Sequence, residues 1–336
     1  MSRQNYDCIV IGAGVQGCFT AYHMAKNKQS TLLLDQFLLP HSRGSSHGQT
    51  RIIRKAYEQD FYTHMMEECY TLWAQLEREA GVSLFRRTGI LVKGPAEDQD
   101  FQLFRDTVQR NAVPTEELTP DQFSRRLPQV TLRSGEGTFI DTTAGVLYAD
   151  RALRAAQGVF QSLGGVIQDG EKVLNIQPGS TVTVTTACGV YKAKTLVITA
   201  GPWANTLLSH TDLQLPLEIC YHMGSKTEPD ERDRQKDQTD VHVLSHFVSD
   251  YLPGLEPEPA VVETCMYTVT PDHHFVLDYH PIHRNIVIGA GFSGHGFKFG
   301  PVVGKILCEL SLGQIPSYDL SPFKIQRFHK NLRSSL

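Results

Sequence analysis

Tyr6-Asp7-Cys8-Ile9-Val10-Ile11-Gly12-Ala13-Gly14-Val15-Gln16-Gly17, then a helix-compatible run to Lys26, then Ser30-Thr31-Leu32-Leu33-Leu34-Asp35, is the stretch on which the reading of this chain turns. The short apolar run before the glycines predicts a buried strand, the pattern from about Val15 to Lys26 a helix, and Ser30 to Leu34 a second strand. Residues 6–35 therefore read as one β-α-β unit, with G-x-G-x-x-G directly after its first strand and a carboxylate closing its second. Gly12 permits the tight turn, Gly14 lets the backbone approach a pyrophosphate, and Gly17 allows the helix to pack closely on the strand. The helix N-terminus offers amide donors to an anion, and Asp35, eighteen positions after Gly17, can accept from a ribose hydroxyl. A carboxylate there suits a free ribose better than a 2′-phosphate, which leaves NAD and FAD open and disfavours NADP.

Around this unit the composition is ordinary. The 336 residues, 40% hydrophobic and 20% charged, leave room for about two domains. No run approaches the roughly 20 apolar residues of a spanning helix, and no charged-then-apolar leader precedes Tyr6, so neither a membrane-spanning nor a secreted protein is expected. With 32 basic against 36 acidic residues, a net charge of −4, and no Lys/Arg stripe, nucleic acid and anionic lipid are poor partners and a small molecule is the better one. Seven cysteines (Cys8, Cys18, Cys69, Cys188, Cys220, Cys265, Cys308), odd in number and without C-x-x-C spacing, read as free thiols of a reducing compartment. His273, His274, His280 and His283 are close in sequence, but no carboxylate or thiol completes a ligand spacing, and no metal is expected.

Further along, a Gly/Ser/His-rich loop (residues 40–48) leads to an arginine-bearing segment and a helix from about Tyr62 to Ala80. Residues 88–92 look like a strand, and 96–130 like polar helix interrupted at Pro114, Pro120 and Pro128. From Gly145 the alternation returns: a strand at 146–148, a helix over 151–163, and strands near Val166, at 173–176, 181–185 and 196–198. The charge-dense stretch 225–240 reads as an exposed loop or helix edge. The chain closes with a strand (285–288), a second glycine-rich turn through Gly289, Gly291, Gly294 and Gly296, and a helix from about Pro301 to Leu312. This second strand–glycine–helix element could bring both ends of the chain onto one extended cofactor. Its amides and helix dipole would favour negative charge, as on a reduced isoalloxazine ring, which tilts the choice from NAD toward FAD.

Four segments in order carry a resemblance: Gly12 to Gly17; His47-Gly48-Gln49-Thr50-Arg51-Ile52-Ile53-Arg54-Lys55-Ala56-Tyr57; Cys265-Met266-Tyr267-Thr268-Val269-Thr270-Pro271-Asp272-His273-His274-Phe275; and Gly289 to Lys298. Together they resemble the monomeric sarcosine oxidase family, in its peroxisomal sarcosine oxidase / L-pipecolate oxidase branch. The resemblance implies FAD as cofactor, oxidation of the C–N bond of a secondary amino acid (sarcosine, L-pipecolate or L-proline-like) to an imine, and reduction of O2 to hydrogen peroxide. It also implies that Cys265 is joined by a thioether to the flavin 8α-methyl group. It places Arg54 and Lys298 on the substrate carboxylate, Arg51 by the flavin, His222 beside flavin and substrate, and Gly291 and Gly294 in the cofactor-binding turn. The physical need is clear: a zwitterionic substrate must be held by its carboxylate for its C–H to face the flavin. Arg51 and Arg54 stand three apart, a spacing that shares one face only in a helix, and apart from the family pattern they would read as two surface cations.

The chain also departs from the family. It is short between Leu217 and Ile219, where relatives carry strands of the substrate-domain sheet, and Glu218 stands where the family has the lysine credited with activating oxygen. A carboxylate beside the flavin would oppose the charge that develops on oxygen. The expectation is an α/β Rossmann-like FAD-binding domain (1–83, 141–216 and 261–330) interleaved with an antiparallel-sheet, α+β substrate domain (84–140 and 217–260) that is partly truncated, with 331–336 as a tail. The alternatives are an FAD-binding but catalytically impaired short form, and an NAD-dependent dehydrogenase. A monomer is expected, and Ser334-Ser335-Leu336 is an imperfect peroxisomal signal lacking the middle Lys.

Overall fold

In the computed structural model, which describes residues 5–221, 225–234 and 238–328, the opening strand (Asn5–Ile11) lies inside an eight-stranded sheet. It pairs in parallel with Thr31–Leu34, Val10 opposite Leu33, and on its other side with Val190–Ile198, Ile9 opposite Leu196. Val166–Gln168 adds a further parallel strand beyond Thr31–Leu34. The far edge of Val190–Ile198 is shared: its first part takes Val182–Thr186 antiparallel, and its last three residues take Ile286–Ala290 in parallel. Only one strand thus separates the first strand of the chain from the strand that precedes the second glycine turn. The topology brings the two glycine-rich turns to the same end of the sheet.

Alternation along these strands builds two cores, since successive side chains leave a strand on opposite faces. Cys8, Val10, Leu33, Val197 and Val287 face the helices Val15–Lys26 and Gly300–Ser311, while Ile9, Ile11, Leu32, Leu34, Leu196 and Ile288 face the short helix Ala204–Leu208. The two long helices cross so closely that a Cβ at Gly304 would lie 2.5 Å from that of Phe19. Each of these fully buried aliphatic side chains contributes about 1.5–3 kcal/mol.

Three small antiparallel sheets stand outside this core. One joins Thr50–Ile53, Gly145–Tyr148 and Phe85–Arg87; another orders Ile90–Pro95, Glu136–Asp141 and Thr115–Glu116; the third pairs Glu218–Tyr221 with Met266–Val269. The architecture is the expected α/β sheet with interleaved antiparallel elements. Two local readings change. Pro120 does not interrupt a helix but opens one, Pro120–Arg126, at the first position, where its missing N–H costs nothing and the Thr119/Gln122 capping box supports it. Residues 229–234 are not simply an exposed charged edge: Arg232 is only 6% exposed and donates to the Ser42 carbonyl, while its own carbonyl accepts from Tyr221 Oη at 2.9 Å.

Helix Thr239–Tyr251 buries none of its residues. Its C-terminal end is fastened by Arg133–Asp250 (2.8 Å) and by Lys93 over the Tyr251 ring (3.7 Å), yet Val243, Leu244 and Phe247 remain 56%, 58% and 46% exposed. Among the described residues no helix is long and apolar enough to cross a membrane.

Candidate active site

The glycine turn, the end of strand Thr31–Leu34, the loop through residues 37–51, and residues 265–268 and 292–297 enclose one cavity of about 1020 Å³. That is at the top of the roughly 300–1,000 Å³ range of small-molecule sites and suits a dinucleotide. Gly12, Gly14, Asp35, Arg51, Cys265 and Gly294 all line it. The opening turn and the thiol at 265, which are 251 to 253 positions apart in the chain, therefore share one wall-to-wall space.

The turn has the shape a pyrophosphate requires. Gly12 has φ +102°, and a methyl group at Gly17 would overlap the Gly12 carbonyl oxygen, so the helix can start this close only with glycine there. Gly14 caps that helix without a side chain, and the freed Val15 N–H donates to Ser46 Oγ at 3.0 Å from the facing loop. Asp35 is 7% exposed, and its oxygens already accept from Ala13 N (2.8 Å) and Phe37 N (2.9 Å), with His41 Nε2 at 3.2 Å. It organises the turn as well as facing the cavity.

Arg51 and Arg54 do not share a helical face. Thr50–Ile53 is a strand, with Arg51 opposite Leu147, and Arg54 follows its last residue, so no helical turn sets the two side chains on one face. Arg51 turns back into the loop: Nη2 donates to the carbonyls of Ser45 (2.8 Å) and His47 (2.7 Å), and the guanidinium lies 5.4 Å from the Phe297 ring. Arg54 lies over Tyr57 (5.1 Å) and Phe104 (5.4 Å). Lys298 approaches the same Tyr57 ring from the C-terminal turn, at 5.7 Å, so Arg54 and Lys298 converge on one aromatic platform although neither lines the main cavity. Lys298 is 7% exposed, and burial, with the Arg54 charge second, pushes its ammonium down to about 7. Burial likewise lowers His295 to about 3, keeping that imidazole neutral, and its Nε2 has no hydrogen-bond partner among the described residues.

Cys265 is half-buried, and burial raises its thiol pKa while Arg51 and Arg232 pull the other way. The adjacent backbone is fixed by Ser45 Oγ, which donates to Met266 O at 2.6 Å. Gly291 (φ +64°) stands behind the wall, against Thr270, and Gly294 (φ +80°) presents its bare Cα to the Tyr267 ring. His222 lies outside the described residues. Glu218 does not line the cavity: its side chain is 48% exposed and pairs with Lys226 at 2.8 Å, so its charge is met by a cation and by solvent instead of facing the site.

Several lining groups were not singled out from sequence. Ser45 and Ser46 sit in a loop and Trp203 in a short 3-10 turn, without a periodic signal, and Arg232, which acts on Cys265 without lining the cavity, is hidden in a charge-rich run. The Gly/Ser/His composition of 40–48 was the one available hint, since such loops read as backbone shaped for a ligand. Among the described residues no group of three or more His, Cys, Asp or Glu side chains could hold a metal ion.

The chain belongs to the FAD dependent oxidoreductase family DAO, whose pattern matches residues 7–232 and 219–310, and it is a flavin-dependent oxidase within the monomeric sarcosine oxidase group. It is 50% identical over 375 aligned positions to the peroxisomal sarcosine oxidase of Mus musculus and 49% to that of Homo sapiens, each alignment covering 96% of both chains. It is 32% identical to the monomeric sarcosine oxidase of Bacillus sp. (strain B-0618), again covering 96% of both. An alignment of 375 positions exceeds the 336 residues available, so these relatives carry internal residues that this chain lacks. Among solved structures, the fold is shared with the amino acid oxidase NikD (TM-score 0.86, 22% identity, 96% of this chain and 98% of that one) and with glycine oxidase from Geobacillus kaustophilus (TM-score 0.82, 17% identity, 97% and 99%). The family decides for FAD between the two dinucleotides that the fingerprint left open.

Proposed function

We propose that the chain oxidises a secondary amino acid of the sarcosine, L-pipecolate or L-proline type to its imine, using FAD held through Cys265. The observation that carries this reading is the shared cavity: the pyrophosphate-shaped turn that opens at Gly12, the Cys265 thiol and Arg51 line the same space. The residues fit the cofactor. The amides at the start of helix Val15–Lys26 would take the pyrophosphate, Asp35 the ribose, and Cys265 the ring edge. When bound, the flavin accepts the hydride equivalent of the C–N oxidation and passes two electrons to O2, giving hydrogen peroxide.

The chain's own residues do the rest. Arg54 and Lys298, converging on Tyr57, would hold the substrate carboxylate and so fix the direction of its C–H bond. These cations, with Arg51, would also disfavour a protonated substrate amine, which must lose its proton before it can be oxidised. The aromatic walls from Tyr57, Phe275 and Phe299 around neutral His295 keep water away from this end. The reading places the enzyme in the peroxisome as a monomer.

The test is direct. Purified protein denatured in acid should keep its yellow colour on the polypeptide, and the flavin should map to the Cys265 peptide. Sarcosine or L-pipecolate should give hydrogen peroxide in a peroxidase-coupled assay. Flavin that washes off with Cys265 unmodified would refute the thioether, and absence of peroxide with either amine would refute the oxidase reaction. A second reading, FAD binding with lost turnover, is favoured by the uncovered apolar side of helix Thr239–Tyr251. In that case sarcosine would fail to bleach the bound flavin under anaerobic conditions.

A further inference from the structure

Glu171 is a buried carboxylate of the cavity wall with few and weak hydrogen-bond partners among the described residues. It lies in the cavity wall, 8% exposed, immediately before strand Val173–Gln177. Its backbone N–H donates to the carbonyl of Asp35 at 2.8 Å, which sets it beside the residue that closes the β-α-β unit. Of its carboxylate oxygens, Oε1 accepts one long bond, from Tyr191 Oη at 3.5 Å, and Oε2 is buried with no hydrogen-bond partner among the described residues. The exposed Cys188 thiol also bonds to the carboxylate, whose charge, with that hydrogen bond, raises the thiol pKa, but a neutral thiol is a weak donor. Buried carboxylates are otherwise paired or fully hydrogen-bonded, and an unmatched one in a binding cavity points to a donor brought by the ligand.

Asp35 cannot be the sole acceptor at this end, because its oxygens already serve Ala13, Phe37 and His41. Glu171 lines the same cavity beside Asp35, to whose carbonyl its N–H donates. In a dinucleotide the ribose comes first and the base after it, and the strong donor of adenine is its exocyclic amine. We propose that Glu171 accepts a hydrogen bond from the adenine amino group of the cofactor and so makes the site select the adenine dinucleotide over the flavin mononucleotide. This rests on the FAD reading above, and the experiment separates the two.

Apoprotein carrying Cys265→Ser, so that binding is reversible, is titrated by flavin fluorescence with FAD, with flavin mononucleotide, and with the FAD analogue in which hypoxanthine replaces adenine. The same titrations are run with Glu171→Leu and Glu171→Gln added. We expect Glu171→Leu to weaken FAD at least tenfold and the mononucleotide less than twofold, and Glu171→Gln, which keeps an acceptor, to fall in between. The parent should lose at least tenfold on the hypoxanthine analogue, a penalty absent from Glu171→Leu. Equal weakening of FAD and mononucleotide, unchanged FAD affinity, or an analogue that binds the parent as well as FAD would each overturn the assignment. If Glu171→Leu does not fold, by circular dichroism of the apoprotein, the analogue titration on the parent decides alone. A parent that binds no flavin would overturn the cofactor reading, and this one with it.

Discussion

Lys298 offers the sharpest test of how the site holds a carboxylate. Its ammonium is buried and pushed from 10.5 down to about 7, first by desolvation and then by the Arg54 guanidinium 5.1 Å from the Tyr57 ring that Lys298 also approaches. In the free enzyme it is therefore half neutral near pH 7 and about 99% neutral two units higher. A carboxylate placed between Arg54 and Lys298 restores the charge, so binding must draw one proton from solvent wherever the free amine is neutral. Affinity for a simple carboxylate without an oxidisable amine should then be constant below about pH 7 and fall about tenfold per pH unit above it, roughly a hundredfold by pH 9. Isothermal titration calorimetry at pH 8.5 in two buffers of different ionisation enthalpy should count close to one proton taken up, and none at pH 5.5. His295, lowered to about 3, and Tyr267, raised to about 12 by burial, stay neutral across this window and add no competing slope. Lys298→Met should bind the carboxylate more weakly at pH 6 and show no slope. A flat profile in the parent, or the same slope in Lys298→Met, would sink the assignment of Lys298 to the carboxylate.

The same group makes a stability prediction of opposite sense. Because the folded pKa lies below the unfolded one, the native state resists a proton the unfolded chain accepts, and the resulting penalty builds as pH falls from 10.5 to about 7 and is complete below that. Lys298→Met should therefore stabilise the apoprotein at pH 6, on the order of 3 kcal/mol, with the gain vanishing near pH 10.5 in urea unfolding. Gly17→Ala should do the reverse: the added methyl meets the Gly12 carbonyl, and a loss of about 2 kcal/mol or more in apoprotein stability should accompany loss of FAD binding. Arg232→Met keeps most of the bulk but removes a cation that acts on Cys265, so in flavin-free apoprotein, where the thiol is unmodified, the pH profile of alkylation at Cys265, followed by peptide mass spectrometry, should move to higher pH. An unmoved profile would mean that Arg232 serves only to hold Ser42.

What could be read from the chain alone was whatever depends on local periodicity and short spacing. Tyr6 to Asp35 is one contiguous unit in which strand, turn and helix constrain each other, and its two strands, almost wholly buried, pair with Val10 against Leu33. The second glycine element is equally local, and its place near the first needed only the rule that parallel strands of such a sheet present their turns at one end. Arg51 and Arg54 were harder because i and i+3 mean one face in a helix and opposite faces in a strand, and nothing within Thr50–Ile53 states that Gly145–Tyr148 will pair with it. Arg232 was out of reach for a related reason: a cation in a run of charges looks solvated until a loop some 190 positions away supplies a carbonyl to receive it. Glu171 is the extreme case. Its meaning lies in a partner missing from the protein itself, and a missing partner becomes visible only after every neighbouring donor has been placed and counted. Loops and orphaned polar groups therefore hold most of what distinguishes this site from a generic dinucleotide fold, whereas the fold sets only where those loops converge.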